Sequence, residues 1–169
     1  VLDELDGYAE SWRQTARDNC EATNVRQQQS AELLDLRAAC LDDRRRQLDA
    51  LTQVLADADQ STVENAVSAV RGLPDIEACS DLVALRTGIP TPTDPATIEA
   101  IDALETRVAQ AHAEVLAGRY SLAAEHAKEV EALAAGIEHP PALARAWAVV
   151  GEALEANGEP EPAEEAFVK

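Results

Sequence analysis

Aromatic side chains are scarce in this chain: two Trp, two Tyr and one Phe in 169 residues, with no Met. Runs of β-branched and aromatic residues, which a sheet needs to present a packed pleated face, are missing too. The only cysteines are Cys20, Cys40 and Cys79. No two of them stand two to four residues apart and none sits beside a His, so no common zinc spacing is present. Basic residues number 14 against 32 acidic ones, a formal charge of −18. Both halves share the excess, with 17 acids and 9 bases in residues 1–90 and 15 and 5 in residues 91–169. That field repels a phosphate backbone and argues against nucleic acid as a partner. No stretch approaches the roughly 18–20 apolar residues that span a bilayer, and no signal peptide is visible.

What the chain does have is alanine, leucine and valine, which make up most of its 46% hydrophobic content. Ala and Leu are strong helix formers, and small, unbranched side chains suit closely packed helices. The composition predicts an all-α fold. Over residues 2–27 apolar side chains recur at helical spacing, at Leu5, Tyr8, Trp12, Ala16 and Cys20. The polar run Gln27-Gln28-Gln29 and the N-cap type Ser30 mark a turn. A second long helix is predicted to about Ala56, with Leu34, Leu41, Leu48 and Leu55 seven apart and Leu33, Cys40, Leu51 and Val54 beside them. Two adjacent apolar stripes describe a bundle helix with neighbours on two sides rather than a lone coiled-coil strand. The charge run Arg44-Arg45-Arg46 follows Asp42-Asp43 and reads as an ion-paired helix face.

Ser61-Thr62-Val63-Glu64 reads as a capping box opening a short helix that Gly72 and Pro74 close, and another short helix is predicted over residues 76–86. Residues 88–95 hold three prolines in six positions (Pro90, Pro92, Pro95) and form the clearest break, an extended connector. This predicts a helical bundle over 1–87, the connector over 88–95, and helical hairpins over 96–169. The hairpin helices are predicted over about 96–117, 121–137, 142–156 and from 162 onward. Gly118-Arg119-Tyr120 and Gly158-Glu159-Pro160 are 40 residues apart, the mark of an internal repeat.

Trp147, Val150-Gly151, Leu154, Gly158, Ala163 and Phe167 follow the spacing W-x2-L-G-x2-Y-x3-G-x4-A-x3-F with two conservative departures. The stretch 144–169 therefore resembles the tetratricopeptide repeat (TPR). Small residues at Gly151 and Ala163 would let two antiparallel helices approach, with Trp147, Leu154 and Phe167 filling the space around them. The preceding unit fits at Gly118, Tyr120, Ala123 and Ala127 but carries Arg107 and Gln110 where Trp and Leu belong. Lys169 falls before the last helix of a second unit would finish, and the chain begins at Val1 rather than Met. The chain thus reads as a segment of a larger protein with further repeats beyond it.

A narrower resemblance covers residues 8–85. Trp12 with Asn19-Cys20-Glu21-Ala22-Thr23, the string from Gln29 to Arg44, and Leu73-Pro74 with Ala78-Cys79-Ser80-Asp81 resemble one recurrent region. That region lies between kinase domain and TPR array in large eukaryotic-like serine/threonine protein kinases of myxobacteria and relatives. High Arg (12) against Lys (2) fits a GC-rich genome. The resemblance implies a parent with an N-terminal kinase domain, where ATP and Mg²⁺ would bind, often followed by a transmembrane helix. This segment would then lie on the extracytoplasmic side, the cytoplasm being the alternative. The alternative to such a parent is a TPR adaptor or TPR-bearing transcriptional regulator with no kinase domain. The chain itself shows no glycine-rich loop, no H-R-D catalytic loop and no D-F-G, so no catalysis is expected of it.

With that placement in view, two arrangements of the cysteines stay open. Cys20 and Cys40 lie on apolar stripes and could be buried, inert thiols. Alternatively, two of the three could form one disulfide, as an extracytoplasmic position favours. A turn near Gln28 would put Cys20 and Cys40 about 6 Å off level, so a pair including Cys79 is at least as plausible. His112, His126 and His139 are dispersed, and no Ser/His/Asp or Cys/His arrangement, cofactor motif or metal set is suggested. The TPR resemblance implies a ligand groove lined by the first helix of each unit: Glu105, Val108, His112, Val115 and Leu116, then Arg145, Ala148, Glu152 and Glu155. Such a groove is mixed and acidic and lacks the Lys/Asn clamp of chaperone-binding TPRs. A basic or amphipathic peptide is the implied partner, with the membrane reached only through the parent chain.

Overall fold

The computed structural model describes residues 1–86 and 92–169. Among them the protein is all-helical: α1 (Leu2–Asn24), α2 (Ala31–Ala56), α3 (Gln60–Arg71), a 3-10 turn (Glu77–Ser80), α4 (Leu82–Arg86), α5 (Pro95–Leu116), α6 (Tyr120–Ala134), α7 (Pro140–Ala156) and α8 (Pro160–Phe167). Of the proline-rich connector, residues 88–91 lie outside the described residues.

The local signals act at the helix ends. Ser30 caps α2 by accepting the Leu33 amide at 3.2 Å, and Asp94 caps α5 by accepting the Thr97 amide at 2.9 Å with Pro95 as first helical residue. At α3 the cap is Asp59, two residues earlier than the Ser61 box suggested. Its carboxylate takes the Thr62 amide at 2.8 Å and both the Ser61 and Thr62 hydroxyls. A carboxylate can accept all three donors at once, and a serine hydroxyl cannot. The single short helix predicted over 76–86 is instead the 3-10 turn and α4, broken at extended Asp81, whose side chain takes the Val83 and Ala84 amides.

The two hairpin turns repeat in backbone detail. Gly118 (φ +77°) and Gly158 (φ +86°) occupy the left-handed region that glycine adopts without a Cβ penalty. After α5, the Arg119 amide bonds to Glu114 O and the Gly118 amide to Val115 O. After α7, Glu159 bonds to Leu154 O and Gly158 to Glu155 O. Both are the same helix-ending motif, 40 residues apart.

α5, α6, α7 and α8 share a core of small side chains, including Leu104, Ala111, Ala127, Val130, Ala146, Val150 and Ala163. Gly151 touches the Phe167 ring so closely that a Cβ there would lie 2.4 Å from it. The ring does not fill the hairpin interior as the repeat pattern suggested: Phe167 is 51% exposed. The break at 88–95 does not separate two cores. Ala113 and Ala117 of α5 are buried in one cluster with Leu51, Val54, Ala69, Val70 and Leu73. Alanines on that face let α5 approach α2 and α3 closely, and they bury α2's second stripe.

A third cluster joins α1 to the 3-10 turn. Leu41, Ile76 and Cys79 are buried with Trp12, Ala16 and Cys40 against them. Cys40 and Cys79 form a disulfide with Cα atoms 5.5 Å apart. Cys20 is free and exposed, which corrects the reading that it faces a core. At that level of α1 the buried residues are Asn19 and Ala22, and Asn19 donates to Leu34 O of α2, so Cys20 lies on the outward face. Trp12 Nε1 donates to Leu41 O at 2.7 Å and Tyr8 Oη to Pro74 O at 2.8 Å, so the two large aromatics of α1 use their polar tips to clasp α2 and the segment after α3.

Candidate functional site

The residues predicted to line a groove divide when placed in the fold. Glu105, Val108 and His112 of α5 and Arg145, Ala148 and Glu152 of α7 line one cleft of about 270 Å³. Val115 packs on the hairpin core and Leu116 on the α2–α3 core. Glu155 is exposed on α7 outside the cleft. The cleft's other wall, which no sequence signal pointed to, is α2: Asp43, Arg44 and Gln47, together with Pro74. These residues read as a charged helix face, and only the packing of α2 on α5 turns them toward α7.

Glu105 is only 5% exposed, and Arg145 neutralises it from the next unit. Arg145 Nε donates to both carboxylate oxygens, at 2.9 and 3.1 Å, and Nη2 makes a further contact to Oε1. Burial works against the charge on Arg145, but the Glu105 carboxylate more than offsets it and holds its pKa above the usual guanidinium value. Across the cleft Arg44 pairs with Asp43 at 2.5 Å and also donates to Asp75 O. Arg46 and Asp102 tie α2 to α5 at 2.6 Å just outside.

His112 sits where α2, α5 and α7 meet. Gln47 Nε2 donates to Asp43 Oδ2 at 3.1 Å, which orients the amide so that its oxygen faces His112 Nδ1 at 3.3 Å. With the amide so oriented, the tautomer that bonds to it is the one protonated on Nδ1. Burial lowers the His112 pKa, against the opposing pull of Glu152 and Asp43. The neutral ring then presents the bare Nε2 toward Glu152 Oε2, 4.0 Å away.

Two other buried charged residues, Arg37 and Glu114, escaped the sequence reading. Arg37, lying on the Leu33/Leu41 face, is buried and donates to Gln29 at 3.0 Å, Asp18 at 3.3 Å and Ser80 at 3.4 Å. Gln29 in turn donates to Asn19, so this knot closes the α1–α2 turn. Glu114 is buried beside Arg119 at 3.8 Å, and burial raises its pKa. Arg119 also donates to Thr62 Oγ1 at 2.8 Å and to Asp57 O, joining the α5–α6 turn to the α2–α3 turn. Both clusters serve packing, and each leaves one buried polar atom, Arg37 Nε and Glu114 Oε2, without a hydrogen bond among the described residues.

Among the described residues no three His, Cys, Asp or Glu converge as a metal set. No helix there is long and apolar enough to cross a membrane. The chain matches no family model, no curated protein and no solved structure.

Proposed function

We propose that this chain is a non-catalytic protein-docking module of TPR type, the interaction portion of a bacterial serine/threonine protein kinase. One observation carries the reading: six of the nine groove positions that the TPR resemblance implies, from α5 and α7, share one solvent-open cleft. The matching Gly118 and Gly158 turns, 40 residues apart, support the repeat. The Cys40–Cys79 disulfide suits the oxidising side of a membrane, where the kinase resemblance puts this segment. The partner is a basic or amphipathic peptide.

The test is selection of binders from a displayed peptide library on the wild-type protein and on the Glu152→Lys/Glu155→Lys variant. Enrichment of basic sequences on the first and not on the second supports the reading. No enrichment on either, or equal enrichment on both, overturns it.

A further inference from the structure

The cleft holds three carboxylates, Asp43, Glu105 and Glu152, and two guanidinium groups, Arg44 and Arg145. Asp43 and Glu105 are taken by Arg44 and Arg145. Glu152 is the carboxylate in excess, and among the described residues its one ion-pair partner within reach is His112 Nε2 at 4.0 Å. The chain Asp43, Gln47, His112 puts the ring proton on Nδ1, so both atoms across that gap are hydrogen-bond acceptors. Two facing acceptors leave a place for a donor that the protein does not supply. The surrounding wall is aliphatic: Val108, Ala109, Ala148 and Val149.

We infer that the gap between His112 Nε2 and Glu152 receives the cationic end of an arginine or lysine side chain from a partner polypeptide. This rests on the docking reading and names the partner group. A nitrogen at about 2.9 Å from each acceptor satisfies both, and its charge balances Glu152. The alkyl stem lies on the aliphatic wall, as long basic side chains favour. A cleft of about 270 Å³ has room for such a stem, since a single water takes only about 30 Å³ in the liquid. A bare metal ion would be poorly held by two acceptors.

The proton inventory sets the pH response. Charged groups that share the cleft with His112 are Asp43 and Arg44 from α2, Glu105 from α5, and Arg145 and Glu152 from α7, of which Glu152 and Asp43 act on the ring. Once His112 is protonated, Nε2–H turns from acceptor to donor and repels the incoming cation. Burial pushes the His112 pKa down, so affinity persists through neutral pH and falls only on acidification below the ordinary histidine range.

The test uses the whole chain with labelled histidine and follows the imidazole signals by NMR. The probes are an acetylated, amidated Ala-Arg-Ala peptide, its citrulline counterpart, and ethylguanidinium. Saturable shifts of the His112 signals by the arginine peptide at pH 7 are expected. Affinity should drop about tenfold with citrulline and with Glu152→Gln, the loss of one charge-assisted hydrogen bond. It should fall again on acidification. Unmoved His112 signals, or equal affinity in E152Q with native helicity by circular dichroism, overturn the proposal. Ethylguanidinium binding as tightly as the peptide also overturns it, by making the site a receptor for a free small cation. Library peptides that lose binding in Glu155→Lys but leave His112 unmoved would remove this gap while sparing the docking reading.

Discussion

Glu105 and Arg145 stand 40 residues apart and meet across the cleft, with the Arg145 Nε bonded to both carboxylate oxygens. The separation equals that of the two glycine turns. An α5 position is thus paired to its counterpart on α7, and the acid of one unit is neutralised by the base of the next.

Arg145→Ala leaves the Glu105 carboxylate buried and unpaired. Removing one partner of a fully buried pair costs roughly 3–5 kcal/mol. Because Arg145 is half exposed, a loss of about 2 kcal/mol in urea unfolding is expected, with much of it recovered in the Glu105→Leu/Arg145→Leu double variant. Equal stability of Arg145→Ala and wild type would show that Glu105 finds solvent.

The Cys40–Cys79 bond closes a loop across 39 positions, and chain-entropy arithmetic puts its worth at about 4 kcal/mol. Cys40→Ser/Cys79→Ser should lower the thermal midpoint by many degrees. Thiol titration of the denatured, unreduced protein should count one reactive group, from Cys20, and three after reduction.

Gly151→Ala places a methyl group 2.4 Å from Cε1 of the Phe167 ring. Overpacking of this sort costs roughly 1–3 kcal/mol, and the low end applies because the ring can move outward. Phe167→Ala should remove that penalty, so the second substitution costs less in the Gly151→Ala background. Additive losses in a double-mutant cycle would refute the contact.

Asp59 has its pKa held down to about 2, first by the Thr62 amide, then by the Ser61 and Thr62 hydroxyls. A carboxyl with a depressed folded pKa contributes stability that is complete above its unfolded value near pH 4 and is lost as pH falls toward 2. Wild type should therefore exceed Asp59→Ala in stability at pH 6, and the two should converge near pH 2. A pH-independent difference would assign the effect to helix propensity rather than to the charged cap.

The helical hairpins were legible because glycine turns, first-turn prolines and the spacing of small residues act within a few positions. Of the groove residues, Glu105, His112, Arg145 and Glu152 meet as helical register implies, and Glu155 stays outside the cleft. Val115 and Leu116 went elsewhere because α5 is covered on several sides, by α2, α3, α6 and α7, and a face cannot be assigned to one neighbour by periodicity alone. Arg37 escaped notice since nothing local distinguishes a buried arginine from a surface one on the same helix.

The chain's own composition and punctuation determined its class: alanine and leucine favour helix at nearly every position, and proline and glycine stop it at set places. Only the tertiary structure decided that Cys79 rather than Cys20 pairs with Cys40, that α2 walls the cleft, and that Gln47 sets the tautomer of His112. Backbone preferences are settled between near neighbours. Those three outcomes need side chains from distant segments brought to within a few ångströms, and the packing of whole helices does that.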